Sequence, residues 1–426
     1  MTDRCLADWL KLLETRHPSE IDLGLDRVAE VWRLYSAQGA KDKSKACKII
    51  TVAGTNGKGS CIASMQSVLL AHGYSVGTFT SPHFFVYNER ICLSGTPVSD
   101  QIIVSAFETI ESLRGEISLT YFEFNTLAAL IIFDSHKLDY VLLEVGLGGR
   151  LDATNIIDCD VAVLTSIDLD HQQWLGETRT EIAREKLGIA RSGRPLIIGE
   201  SNYPQDFERM VADTNASSIW IGVDFSYVQQ QSCFSVSLAG VETRVIGNLV
   251  CDGLLPVNKT IALQALVSAG CILDAEKCRS AVNSAKLTGR RQKLNYKGIS
   301  IILDVAHNPA ATRELADFLT THCGTKIAVA SVLEDKDWAS MVDNLSKVID
   351  CWNIAELTAV SRATKGHSML KLLYNAGLEA KLADSIEQAF TNAVSQAEDG
   401  DTVVVFGSFY TVASVLQLIS KENAIE

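Results

Sequence analysis

Between Ile49 and Ser60 the chain reads IITVAGTNGKGS, a β-branched run, a glycine-rich turn and the start of a helical stretch. Gly54, Thr55, Asn56, Gly57, Lys58, Gly59 and Ser60 form the turn and the helix entry. Its three glycines let backbone N–H groups turn inward around phosphate oxygens. The helix that follows directs the positive end of its dipole to the same place. Lys58 would reach the β- and γ-phosphates of ATP, and the Ser60 hydroxyl is placed for a magnesium ion. The spacing departs from the usual GxxxxGK[ST]: Gly59 stands between Lys58 and Ser60, and two residues separate Gly54 from Gly57. A plain glycine turn would need neither the lysine nor the serine.

Glu144 ends the apolar run DYVLLEV and is followed by glycine. That predicts a carboxylate at the carboxyl edge of a parallel sheet, where such folds bind ligands; a solvated strand end is the alternative. Asn258 follows Pro256 and Val257 at a helix start, where it would serve as an N-cap. Asp304 closes a second apolar run, ISIILDV, and His307, Asn308 and Pro309 precede a helix.

Further segments follow in order: TSPH from Thr80, NERI from Asn88, EVGLGGRLDATN from Glu144, Asp170–His171, Trp174–Leu175–Gly176, EKLGI from Glu185, Asn258, Gly289–Arg290 and DVAHNP from Asp304. With GTNGKGS, this ordered set resembles the folylpolyglutamate synthase family of the Mur ligase superfamily, and within it the bacterial bifunctional form that also acts as dihydrofolate synthase. One such motif arises by chance; the ordered set is specific. The resemblance implies an ATP-dependent ligase that adds L-glutamate to dihydropteroate and to reduced folates. The acceptor carboxylate, which has no good leaving group, would be activated as an acyl phosphate.

The resemblance also implies residue roles. Ser60, Ser81 and Glu144 would surround one magnesium ion, and Glu144, His171 and Lys186 a second. Lys186 would be carbamylated, since an ammonium repels a cation; an unmodified Lys186 touching phosphate is the alternative. Asn258 would contact adenine. Arg290 matches the family's Pro-Gly-Arg, although Thr288 replaces the proline here and Arg291 competes for the nucleotide. Asp304 would meet the nucleotide from the second domain. His307 would place the glutamate or its amine, a helix cap being an equally simple alternative, and Gly407–Ser408–Phe409 is a further candidate for glutamate. Asp22, Leu23, Gly24 and Leu25, Thr120, Tyr121, Phe122 and Glu123, and Leu151, Asp152 and Ala153 match the dihydropteroate-contacting segments. Aromatic residues beside polar anchors suit a flat pterin, but Tyr121, Phe122 and Phe124 also fit an ordinary core.

The elements that must position these residues alternate strand and helix. Residues 1–40 read as helical, followed by strands at CKIITVAG, Val76–Thr80, DYVLLEV and VAVLTSI with helical runs between them. That alternation predicts an α/β fold, a mostly parallel sheet covered on both faces. Residues 215–250 read as a small β-rich excursion before the helix VNKTIALQALVSAGCIL. The expected organisation is an ATP-binding domain with the folate site over 1–288, a basic linker over 289–295, and a smaller Rossmann-like glutamate-ligase domain over 296–426.

The 426 residues suffice for two such domains. A net charge of −13 argues against nucleic-acid binding, which needs a basic stripe. Eleven scattered cysteines without a CxxC pair predict reduced thiols in cytoplasm. The N-terminal stretch lacks a long apolar run, and no segment approaches the roughly 20 apolar residues that cross a bilayer. A cytoplasmic monomer acting on small molecules is expected. Another Mur-type amino-acid ligase, a monofunctional folylpolyglutamate synthase, or an ATP-dependent switch protein are the competing readings.

Overall fold

Tyr140–Glu144 sends alternate side chains into two different cores. Leu142 packs with Ile50, Val52 and Met65 on one side, while Val141 and Leu143 pack with Phe79, Phe124 and Phe133 on the other. A strand buried on both faces reads as a continuous apolar run, and its neighbours must be parallel strands covered by helices. The computed structural model describes residues 4–19, 21–38, 47–240, 244–358, 360 and 362–423.

Two compact units divide the chain, Met1–Ala285 and Lys286–Glu426. In the first, the strands are β1 (Lys48–Ala53), β2 (Val76–Phe79), β3 (Ile91–Leu93), β4 (Thr96–Pro97), β5 (Tyr140–Glu144), β6 (Val161–Leu164), β7 (Pro195–Ile198) and β8 (Ser217–Trp220). Among the described residues they form one sheet in the order β4-β3-β2-β5-β1-β6-β7-β8. Strands β2, β5, β1, β6, β7 and β8 run parallel, and β3 and β4 add an antiparallel edge. Helices Lys58–Ala71 and Pro256–Ser268 cover one face; Leu6–Arg16, Asp100–Arg114 and Tyr121–Asp134 cover the other. The β-rich excursion is a three-stranded antiparallel sheet of β9 (Ser226–Gln230), β10 (Cys233–Leu238) and β11 (Arg244–Val250).

The second unit is a smaller α/β layer. Strands β12 (Gln292–Tyr296), β13 (Ile299–Leu303), β14 (Lys326–Ala330), β15 (Cys351–Ala355), β16 (Ala380–Ala383) and β17 (Thr402–Phe406) take the order β12-β13-β17-β14-β15-β16. All pairs are parallel except β12 with β13. The stretch expected as a linker over 289–295 is therefore largely strand. Leu294 and Tyr296 turn inward from an edge whose outer positions are Lys293 and Asn295. Lys297 and Gly298, both at positive φ (52° and 87°), close a two-residue hairpin into β13. Its basic composition reflects a charged sheet edge rather than an untethered connector. No helix among the described residues is long and apolar enough to cross a membrane.

One buried charge ties the excursion to the sheet's cover. Lys259, in the helix Pro256–Ser268, is 0% exposed, and its ammonium donates to the carbonyls of Val250 (2.9 Å) and Asp252 (3.1 Å). Burial pulls its pKa below the ordinary lysine value. Replacing it with Met fills similar volume but leaves both carbonyls without that donor. Lys259→Met is expected to lower stability in urea unfolding by about 1–3 kcal/mol.

Candidate active site

The register between β1 and β5 sets Val52 beside Glu144, and that between β1 and β6 sets Ala53 beside Leu164. Three chain segments therefore leave one sheet edge side by side: the glycine turn after Ala53, the GLGGR loop after Glu144, and Thr165–Ser166 after β6. Ser81, just past β2, joins them; its N–H donates to Glu144 Oε2 at 3.2 Å. Glu144 is 6% exposed and Ser60 is also buried. The strand-end expectation for Glu144 is thus met by a nearly buried carboxylate.

The glycine turn is held from outside by the loop after β6. Thr55 N–H donates to Ser166 O and Asn56 N–H to Ser166 Oγ, both at 2.9 Å, and Thr165 Oγ donates to Asn56 O at 2.6 Å. Two of the amides expected to face phosphate are therefore spent on the scaffold. Gly57, Lys58, Gly59 and Ser60 make up the entry of the helix Lys58–Ala71, the end of a helix whose N–H groups lack intrahelical acceptors and suit an anion. Gly57 sits at φ +88°, and a Cβ there would lie 2.5 Å from Asn258 Oδ1. Lys58 folds back over the turn, donating to Gly54 O (2.9 Å) and Thr55 O (3.3 Å).

Asn258 is not the cap of its helix. Leu255 occupies that position, and Asn258 is the third helical residue, nearly buried against Gly57. Pro256 at the first helical position explains the shift: proline starts helices readily, so the helix begins two residues before Asn258.

Lys186 lies in the helix Arg179–Leu187 and is 4% exposed. Burial, and then the positive charge of Lys58, push its pKa down to about 7, while Asp170 and Asp152 act in the opposite sense. The GLGGR loop is what seats this helix. A Cβ on Gly149 would come within 2.8 Å of Glu185 O and 2.9 Å of Lys186 O, and one on Gly146 within 2.5 Å of the Phe122 ring. Arg150 N–H donates to Glu185 O at 2.7 Å. Asp152 holds the loop closed: it accepts from Leu147 N (2.9 Å), Thr154 N (3.0 Å) and Thr154 Oγ (2.6 Å). Its carboxylate is engaged in shaping the loop, with Leu151 half-buried and Ala153 buried beside it. His171 caps the short helix Gln172–Leu175 at φ 51°, with Nε2 3.9 Å from Asp170 Oδ2.

The segments matched to the pterin site meet through a residue that sequence reasoning missed. Arg27 donates to Asp22 Oδ2 (2.7 Å) and to Glu123 Oε1 (3.1 Å). Glu123 and Thr120 form a capping box at the start of Tyr121–Asp134. Leu23, Gly24 and Leu25 precede the helix Asp26–Ser36. Phe122 packs on Phe79, their ring centroids 5.8 Å apart, and Tyr121 faces Arg90, whose guanidinium carbon is 5.6 Å from its ring centroid. Arg90 donates in turn to His83 Nδ1 at 2.8 Å. Glu89 accepts from the amides of Phe84, Phe85 and Val86 (2.7–2.9 Å), folding a loop that exposes Phe85 and Val86. The aromatic–basic spacing in SPHFFVYNER was the available signal for Arg90; nothing local signals Arg27.

In the second unit, Asp304 and the turn Gly407–Phe409 leave neighbouring strands, with Gly407 N–H donating to Ala306 O at 3.0 Å. Burial raises the Asp304 pKa, opposed by the charge of Arg290 and by hydrogen bonds from Arg291 N (3.0 Å) and Ala306 N (2.8 Å). The two arginines part here. Arg291 stacks on Phe318 and donates to Glu314 O, whereas Arg290 stays near Asp304 and 5.8 Å from the Phe409 centroid. His307 is not the helix cap: Asn308 is, accepting from Ala311 N at 2.9 Å. His307 Nδ1 lies 2.7 Å from Val305 O; donation to that carbonyl leaves Nε2 as the basic nitrogen of the neutral ring.

The first unit's edge suits a hard divalent cation bound to nucleotide phosphates. Its donors are oxygens, the Glu144 carboxylate and the Ser60 hydroxyl, and Lys186, in the field of Lys58, is a lysine whose burial disfavours the ammonium form. The pH behaviour of Lys186 is testable on the protein alone. Its folded pKa is about 7 against an ordinary 10.5, so between these values the unfolded chain binds the extra proton. Stability should therefore rise with pH across this window, by up to about 1.4 kcal/mol per unit. The difference between wild type and Lys186→Met, measured by urea unfolding in bicarbonate-free buffer from pH 6 to 10, isolates this; a flat difference would contradict it.

Residues 289–409 match the family model described as Mur ligase, glutamate ligase domain. A dihydrofolate synthase/folylpolyglutamate synthase from Escherichia coli strain K12 is 41% identical over 425 residues, covering 98% of this chain and 96% of its own. Among solved structures, E. coli FolC in complex with DHPP and ADP superposes with a TM-score of 0.92 at 39% identity, covering 99% of both chains. A bifunctional folylpolyglutamate synthase/dihydrofolate synthase with Mn, AMPPNP and L-glutamate bound gives 0.89 at 39% identity, covering 98% of both. With identity running through both units and the fold shared end to end, the chain belongs to the dihydrofolate synthase/folylpolyglutamate synthase family of ligases.

Proposed function

We propose that this protein joins L-glutamate to dihydropteroate, giving dihydrofolate, and extends the glutamate tail of reduced folates, consuming ATP and releasing ADP and phosphate. The observation that carries this reading is the strand edge shared by the glycine turn and Glu144, which brings a helix entry and a nearly buried carboxylate together. The ADP, DHPP, AMPPNP, manganese and L-glutamate bound by the relatives support it.

In the first step the acceptor carboxylate attacks the γ-phosphorus; the new O–P bond forms as the bond to ADP breaks. Positioning and charge neutralisation do most of this work. Lys58 exchanges its two loop carbonyls for phosphate oxygens, and the helix-entry amides of Gly57 to Ser60 face the same charge. Asn258 is the first unit's candidate for a nucleotide contact, and Arg290 and Asp304 are the second unit's candidates. Magnesium ions held by Ser60, Ser81 and Glu144, and by Glu144, His171 and Lys186, would neutralise the repulsion between two anions. In the second step the glutamate amine attacks the acyl carbon; the C–N bond forms as the C–O bond to phosphate breaks, and the nitrogen releases one proton as phosphate leaves. His307 is the second unit's candidate for orienting that amine.

Lys186 fits the second metal set as a carbamate. The neutral amine adds CO2 through its lone pair and releases one proton, and a lysine pushed down to about 7 is half neutral at that pH. The acceptor's flat end lies against Asp22–Leu25, Thr120–Glu123 and Leu151–Ala153 in this reading.

Purified protein with Mg-ATP should release phosphate only when both dihydropteroate and L-glutamate are present. Release undiminished by omitting glutamate refutes the ligase reading. Lys58→Ala should lower kcat/KM for ATP by roughly 10²–10³-fold, the scale of losing a transition-state donor, with an unchanged circular dichroism spectrum. Wild-type turnover in that folded variant would remove the turn from the mechanism.

A further inference from the structure

Arg27 joins two of the segments assigned above to the acceptor, and no motif marks it. Its guanidinium donates to Asp22 Oδ2 (2.7 Å) and Asp22 O (2.8 Å) on one side and to Glu123 Oε1 (3.1 Å) and Oε2 (3.4 Å) on the other. Among the described residues its hydrogen bonds go to these two segments alone. Glu123 lies 96 positions further along the chain. We infer that Arg27 is a positioning residue: it sets the distance between the Asp22–Leu25 segment and the entry of the helix Tyr121–Asp134, and so determines how tightly the flat end of the acceptor is held. This rests on the ligase reading.

Three features support that role. Residues 21–25 lie outside regular secondary structure, Asp22 is exposed, and a Cβ on Gly24 would meet nothing within 4 Å, so neither a sheet nor a helix ladder fixes this segment. Glu123 is 4% exposed, and its Oε2 also accepts Thr120 N at 2.8 Å. Removing the guanidinium would leave a buried carboxylate short of its cation, and the helix entry must shift to rehydrate it. A planar fork, finally, can serve both carboxylates at once, whereas an ammonium is a single point charge.

The test is steady-state kinetics on the full chain, varying dihydropteroate, ATP and L-glutamate in turn. Arg27→Ala should raise the dihydropteroate KM by about tenfold or more, with the KM values for ATP and L-glutamate held within about twofold. Arg27→Lys should recover only part of the loss. Glu123→Gln should shift the same constant, and the Arg27→Ala/Glu123→Gln double variant should be no worse than the poorer single variant, because both remove one tie. A fall in kcat with the dihydropteroate KM unchanged would mean that Arg27 merely stabilises the fold, and would overturn the inference; so would additive effects in the double variant. If Arg27→Ala does not fold, Arg27→Lys and Glu123→Gln decide by the same constant. Wild-type protein that turns over no dihydropteroate sinks the ligase reading and this inference together, whereas wild-type turnover with an unmoved KM in the variants sinks the inference alone.

Discussion

The hydrogen-bond register of two parallel strands governs the first unit's chemistry. Because Val52 pairs with Glu144, the turn that begins at Gly54 and the carboxylate at the end of β5 cannot drift apart without slipping the sheet. A slip of one residue would turn Leu142 and Leu143 to the wrong faces and empty both cores. The precision needed by a phosphate-handling site is therefore drawn from apolar burial far larger than any contact within the site. The loop after β6 completes the arrangement by engaging the amides of Thr55 and Asn56.

Electrostatics follows from that geometry. A helix packed so closely on the GLGGR loop that no Cβ fits between them carries Lys186 into a dry setting, within the field of a second lysine. An ammonium is disfavoured there by desolvation first and by Lys58 second. The fold thus does to Lys186 what an external base would otherwise do, and favours its neutral amine. The carboxylates of Asp152 and Asp170 moderate the effect, and Asp152 is itself locked by three hydrogen bonds.

Local pattern made some of this legible in the sequence. The glycine turn and the carboxylate at the end of DYVLLEV follow from strand–turn–helix logic, because each depends on neighbours within a few residues. Features resting on contacts between distant segments were not legible. Ser166 holds the turn only because β6 lies beside β1, and strand order is not written in either segment. Arg27 is an unremarkable helix residue until Glu123 is brought to it. The capping alternatives for Asn258 and His307 fail because proline sets the helix start: Pro256 opens its helix ahead of Asn258, and Asn308 caps the helix that Pro309 begins. The basic stretch before β13 was read from composition, while its alternation of inward and outward residues marked an edge strand.

The close approach of Gly146 to Phe122 couples two positions by volume. An extra methyl at 146 demands a smaller or displaced ring at 122, and that ring belongs to a segment assigned to the acceptor. Bulk could be traded between the backbone at 146 and the ring at 122 without touching any polar group. Changes in which acceptors the enzyme tolerates could arise there from pairs of substitutions, each of which looks damaging when made alone.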